Sequence, residues 1–295
     1  MTRSRRHFLR AVGAAGGVGA MTSLTGCGAD SGQSTDGASR TNGTAPETST
    51  GESTTTETTT ATPAPEQAVD RRLLMEGTDD ETPLVRIDAP EAGPTVVLVG
   101  GLHGDEVGGW RAATAATEWT IDAGSLVVIP KAAIRAVEAR QRMHPEWGNA
   151  NRMFPLDAEP RSPLGTALWE AVEASDPDYV VDLHSSKGIY SESAYYGQHV
   201  FRTEGLAAAT TETIEYLNAE VVPDSRPAYE FTQAPIDVDY EMLVRKANHE
   251  LGAETALFEV TEKNLDTETQ VAWTTAYVEK LLDVLGVRAM DRSEE

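Results

Sequence analysis

The sequence predicts an α/β domain over residues 69–290: a doubly wound, mostly parallel (mixed) sheet with helices on both faces. Two observations carry that expectation. From about Arg71 onward, short apolar runs alternate with segments of helix length, the order that a parallel sheet with crossover helices requires. Each apolar run has the length of a buried strand and is bounded by turn residues or acids. In chain order, strands are expected at residues 96–99, 126–129, 179–183 and 256–260, with helices at 107–118, 163–174, 204–219 and 240–251. The last helix has the clearest signals. Thr267-x-x-Gln270 reads as a capping box, Val271, Val278, Leu281, Leu282 and Leu285 recur at helical spacing, and Gly286 supplies a stop. Two irregular stretches, 139–161 and 223–238, are too long for plain connectors, and loops of that length in a compact domain are usually functional.

The first 68 residues are a different material. Residues 1–27 read as an export signal: a twin-arginine motif at Arg5-Arg6, a weakly apolar Gly/Ala run over 11–20, and Leu24-Thr25-Gly26-Cys27, which resembles the lipobox of a bacterial-type lipoprotein. The run is too short and too glycine-rich to span a bilayer as a helix, so lipidation of Cys27 would anchor the chain to the outer face of the cell membrane. Cys27 is the only cysteine, which excludes disulfide and thiolate–metal chemistry within one chain. Residues 28–68 form a Thr/Ser/Glu-rich linker with nothing to bury, expected to be a disordered stalk.

Charge narrows the partners. The formal charge is −23, and residues 1–26 hold four arginines and no acid, so the processed chain is more acidic still. Such an excess argues against a nucleic-acid partner, since phosphate binding needs a basic patch. Only five of the 24 basic residues are lysine. Acid-rich, lysine-poor surfaces resemble those of halophilic proteins, in which salt screens the self-repulsion.

In an open parallel sheet, ligands bind beyond the carboxyl ends of the strands. His103 and Glu106 fall just past the first predicted strand, His184 just past the third, and Glu259 near the end of the fourth. Three strands therefore deliver His, Glu, His and Glu to one sheet edge. Two imidazoles and one carboxylate form the ligand set of a catalytic zinc that keeps an open position for water. The three-residue step from His103 to Glu106 lets both reach one ion if the chain turns there, which Gly100, Gly101 and Gly104 permit.

With these residues in place, the chain resembles the succinylglutamate desuccinylase/aspartoacylase family, within the wider zinc-carboxypeptidase-like fold. The resemblance spans about residues 95–262 and is carried by 100-GGLHGDE-106, 149-NANRMFP-155, 180-VVDLHSS-186 and 257-LFEVTE-262, in the family's order. It implies Zn2+ bound by His103, Glu106 and His184, Glu259 as general base, and Asn151 and Arg152 holding a substrate carboxylate. A second arginine should stabilise the oxyanion; Arg142 is preferred to Arg140 for that role. The family's usual Asp-x-Asn-Arg is here Asn149-Ala150-Asn151-Arg152, so Asn149 can accept a hydrogen bond from the first zinc histidine but brings no charge. Glu262 competes with Glu259 for the base role, although strand alternation favours Glu259. The extra C-terminal domain of true aspartoacylases is expected to be absent, which leaves substrate choice open. Asp182, two residues before His184, could orient that ring. Asp105 has no defensible ligand role. His144, His199 and His249 read as structural or surface residues, and Tyr229 or Tyr240 as pocket-lining.

The function expected from all this is hydrolysis of an amide bond in a small N-acylated, carboxylate-bearing substrate: an N-acyl amino acid or short peptide. A carboxypeptidase acting on exported peptides is the first alternative. A non-catalytic surface lipoprotein that binds carboxylated solutes is the second.

Overall fold

The computed structural model describes residues 66–190, 192 and 194–290. The signal, Cys27 and the linker up to residue 65 lie outside the described residues. Among the described residues, no helix is long and apolar enough to cross a membrane.

Eight strands form one sheet in the order β1-β2-β4-β3-β5-β8-β6-β7. The four predicted strands are its centre: β3 (Glu91–Gly100), β4 (Ala123–Ile129), β5 (Tyr179–Ser186) and β8 (Glu254–Thr261). They pair in parallel, β4 with β3, β3 with β5 and β5 with β8. Their residues alternate between two cores, as period-2 geometry requires. Val96, Leu98, Val181, Leu183, Ala256 and Phe258 face one way, against α1 (Val107–Ala116), α4 (Ala207–Tyr216) and α6 (Thr267–Val284). Val97, Val99, Val127, Ile129 and Val180 face the other, against α3 (Pro163–Ala174), the short α2 (Ile134–Ala139) and α5 (Leu243–Lys246). Because both faces are covered, these strands read as unbroken apolar runs in the sequence.

The flanking strands are less legible. β1 (Ala68–Leu74) is almost wholly exposed and pairs antiparallel with β2 (Thr82–Asp88), which pairs antiparallel with β4. At the opposite edge, β6 (His199–Arg202) runs antiparallel to β8 and parallel to β7 (Thr232–Pro235). Three antiparallel pairings against four parallel ones make the sheet mixed, as expected.

Helix details differ from the sequence expectation in three places. The helix expected over 204–219 is a 3-10 turn (Glu204–Leu206), α4, and a wider π-type turn (Leu217–Val221). The one expected over 240–251 starts only at Leu243 and widens in the same way over Ala247–Leu251. The capping box is also misplaced by one residue. The α6 N-cap is Asp266, whose Oδ1 accepts from Thr269 N at 2.7 Å, while the Gln270 side chain donates to the Leu265 carbonyl at 3.2 Å. An aspartate does this better than a threonine, because its charge also meets the positive end of the helix.

Candidate active site

The site begins where β3 stops. Gly101 takes a left-handed conformation (φ +77°), and Gly104 lies so close to α2 that a Cβ would sit 1.9 Å from the Ala136 carbonyl oxygen. These two glycines fold the chain back so that His103 and Glu106 face the same point. Glu106 is the first residue before α1, yet its side chain does not cap that helix. It turns across to β5 and accepts from Ser185 N at 3.1 Å.

Three groups converge here, each nearly sealed from solvent: His103 and Glu106 are 3 % exposed and His184 1 %. His103 Nδ1 lies 2.8 Å from Glu106 Oε1, His184 Nδ1 lies 2.6 Å from Glu106 Oε2, and the two Nδ1 atoms are 3.2 Å apart. The outward nitrogens decide what faces inward. Asn149 Oδ1 accepts from Asn151 N at 3.0 Å, which fixes the amide orientation and leaves that oxygen 2.9 Å from His103 Nε2. Asp182 Oδ2 lies 2.8 Å from His184 Nε2. The Asn149 and Asp182 oxygens are acceptors, and Asp182 lies closer to His184 Nε2 than does Asn151 Nδ2 at 3.3 Å, so a neutral ring keeps its proton on Nε2 and turns the Nδ1 lone pair inward. In that tautomer two lone pairs and the Glu106 carboxylate face one point, a donor set suited to a cation. Among the described residues, these three could hold a metal ion, with ligand atoms all within 4.8 Å of one another.

The three groups also perturb one another's protonation. Burial opposes ionisation of Glu106, but His184 and His103, when protonated, outweigh it and hold the carboxyl well below its usual range. Burial likewise opposes the charged form of His184, yet Asp182 and Glu106 raise its pKa well above the usual imidazole value.

Glu259 stands directly opposite His184 in the β5–β8 register, in the wall of the same cleft. Its Oε2 is buried without a hydrogen-bond partner among the described residues. Burial first, and the Glu106 charge second, push this carboxyl well above the usual range. Glu262, the competing acid, accepts from Ser185 Oγ at 2.8 Å and pairs with Lys187. It is tied down outside the cleft.

The irregular stretch 139–161 supplies the cations. Arg142 reaches into the cleft and pairs with Glu106. Arg140 instead ends α2 in the left-handed region (φ 52°), its guanidinium 4.7 Å from the Trp110 ring centre. Asn151 and Arg152 come from the 3-10 turn Ala150–Arg152. Asn151 Oδ1 is buried without a partner among the described residues, and its Nδ2 lies 3.3 Å from His184 Nε2. Arg152 donates to the Asn151 carbonyl at 2.6 Å, stacks 4.3 Å from the Tyr240 ring centre, and has no carboxylate partner among the described residues.

The structure thus brings His103, Glu106, His184, Glu259, Arg142, Asn151 and Arg152 around one cleft. Tyr240 lines it, whereas Tyr229 does not: its hydroxyl donates to the Lys263 carbonyl and its ring packs on Trp273. His144 and His249 face Asp80 and Asp157 away from the site, and His199 bonds Thr232. Asp105 lies 3.7 Å from Lys187. Sequence reasoning missed the rest of the wall, namely Tyr196, Phe201, Ile236, Val238, Met242 and Leu257. The only signals were the length of stretch 223–238, which carries two of them, and the strand face that Leu257 shares with Glu259.

Comparison with known proteins fits this geometry. The model of the succinylglutamate desuccinylase/aspartoacylase catalytic domain matches residues 92–232, so the resemblance carried by the motifs holds. The matched segment contains all three candidate metal ligands and both cleft arginines but not Glu259. No curated protein matches the chain. Among solved structures, product-bound cell shape determinant protein Csd4 from Helicobacter pylori superposes with a TM-score of 0.60 at 20 % identity, over 69 % of this chain and 55 % of that one. In its mDAP-bound form Csd4 is identified as a D,L-carboxypeptidase. Succinylglutamate desuccinylase/aspartoacylase from Rhodobacter sphaeroides gives 0.55 at 18 % identity, over 78 % of this chain and 69 % of that one. The product-bound ectoine utilization protein EutE (DoeB) from Ruegeria pomeroyi gives 0.55 at 20 % identity, over 79 % and 71 %. At these identities the likeness is one of fold. The chain spans 55 % of the length of Csd4.

Proposed function

We propose that the protein is a zinc-dependent hydrolase that cleaves an amide bond in a small N-acylated substrate bearing a carboxylate. The observation that carries this is the convergence of two Nδ1 atoms and the Glu106 carboxylate beside Glu259, whose buried Oε2 has no partner among the described residues. Zinc held by His103, Glu106 and His184 would supply a Lewis acid that polarises the amide carbonyl and lets water attack at neutral pH.

The remaining chemistry belongs to the chain itself. Glu259 takes a proton from the attacking water and hands it to the leaving amine. Arg142, already at the edge of the ligand cluster, donates to the oxyanion that forms at the carbonyl carbon. Arg152 offers its planar fork to the substrate carboxylate, and Asn151 adds a neutral polar group at its side. Asn149 and Asp182 hold the two imidazoles in the tautomer that the site needs. The motifs at Arg5-Arg6 and Cys27 support export by the twin-arginine route and lipid anchoring on the outer face of the membrane.

One observation favours the carboxypeptidase reading within the same mechanism. A second cleft shares Tyr196, Phe201, Ile236 and Val238 with the first, which gives room for a substrate longer than an N-acyl amino acid. Release of free acid from N-acyl amino acids supports the deacylase reading, and stepwise loss of C-terminal residues from peptides supports the other.

Metal analysis tests the shared core. About one equivalent of zinc is expected after gentle purification, and the His184→Ala variant should not retain it. Less than about half an equivalent in the parent protein would sink both enzyme readings, and full retention by the variant would overturn the ligand assignment.

A further inference from the structure

The cleft is chemically lopsided. Among the described residues, Arg142 and Arg152 are the only cations lining it, and Arg142 is already paired with Glu106. Arg152 alone is open to a carboxylate. The basic groups nearby are committed elsewhere: Lys187 to Glu262, Arg245 to Asp239 and the Tyr240 carbonyl, and Arg202 to Gln233.

The facing wall is apolar and has a structural origin. Phe201 on β6 lies opposite Leu257 on β8, and Leu257 shares a strand face with Glu259 two residues on. Ile236 and Val238, just past β7, and Met242 pack with this pair into a small cluster separate from the two main cores. That cluster reaches both ends of the site. Leu257 lies two residues before Glu259 on the same strand face, while Val238 and Met242 flank Tyr240 in the chain, and the Tyr240 ring stacks on Arg152. The apolar surface therefore runs from the reacting centre to the guanidinium that would take the carboxylate.

A second carboxylate placed against these five side chains would lose hydration and gain neither a charge partner nor a hydrogen bond from them; Tyr196, at the margin of the same wall, carries a hydroxyl but no charge. An aliphatic or aromatic group in the same place would gain by leaving water. We propose that the protein selects substrates with a single carboxylate beside an apolar amino-acid side chain, and discriminates against dicarboxylates such as N-acyl aspartate or N-succinylglutamate. The turnover part of this statement rests on the amide-hydrolase function above; the preference itself is a property of the cleft walls.

The test compares kcat/KM of the purified full-length protein for N-acetyl-leucine and N-acetyl-phenylalanine with that for N-acetyl-aspartate and N-succinyl-glutamate, each as both enantiomers. Calorimetric binding of leucine, phenylalanine and aspartate to the Glu259→Gln variant is measured alongside. The apolar substrates are expected to be favoured about tenfold or more, the scale on which a hydrophobic pocket discriminates. Ile236→Ala should erode that ratio mainly through KM, and Val238→Lys should narrow it by giving the wall a cation. Equal or better turnover of the dicarboxylates would overturn the preference and leave the hydrolase function standing. No turnover of any substrate, with binding that still favours leucine and phenylalanine, would uphold the preference and remove the hydrolase function. Neither turnover nor preferential binding would remove both.

Discussion

Glu259 and Glu262 lie three residues apart on one short stretch, yet their surroundings give them different tasks. Glu262 meets a hydroxyl and a lysine at the rim and is satisfied there. Glu259 stands opposite His184 with a buried oxygen that nothing among the described residues satisfies. Native proteins rarely leave a buried carboxylate oxygen unpartnered, so such an atom at a cleft wall points to a group that arrives with the substrate. Glu259→Gln keeps the shape and removes the proposed base. It should lower kcat by about 10²–10⁴-fold, the usual worth of a general base, with metal content unchanged. Steady-state kinetics together with metal analysis checks this; activity within a few-fold of the parent would reassign the base. At the same scale, Asn149 does what its sequence position suggested. It accepts from His103 Nε2, and it does so as a neutral group.

At the scale of elements, the site depends on how strands end. β3, β5 and β8 are parallel neighbours, so their carboxyl ends share one edge and their last residues meet there. The turn after β3 works because Gly104 can lie against the Ala136 carbonyl, where no side chain fits. On the far side of the sheet, α6 packs Trp273, Tyr277, Val278, Leu281 and Leu282 into the core. Its start is held by Asp266 rather than by the threonine next to it. Asp266→Ala should therefore cost about 0.5–2 kcal/mol of unfolding free energy, whereas Thr267→Ala should be close to neutral. Denaturant unfolding of the two variants separates the assignments, and a larger loss from Thr267→Ala would restore the capping box.

Over the whole molecule, charge is the dominant global property. A net charge of −23 with few lysines sets up self-repulsion that dilute buffer screens poorly. The domain is expected to melt at a higher temperature in molar salt than in dilute buffer, as measured by thermal unfolding across a salt series. Equal stability at both ends of the series would end the halophilic reading of the composition.

The legible part of this protein was local or periodic. The four central strands are apolar runs because both their faces are covered, and burial on both faces leaves a mark in the sequence. His103, Glu106, His184 and Glu259 were legible because each follows or ends such a run, and the end of a parallel strand is a position in space as well as in the chain. The exposed β1 and the four-residue β6 and β7 carried no comparable mark, being too polar or too short for a pattern of period two. Only the tertiary structure decided the remaining features: that Arg142 enters the cleft while Arg140 stacks on Trp110, that Glu262 is tied to Lys187, and that Phe201, Ile236, Val238, Met242 and Leu257 form one wall. These residues are of ordinary type and come from distant parts of the chain. Their meaning lies in which neighbours the folded sheet gives them, and spacing along the chain does not encode that.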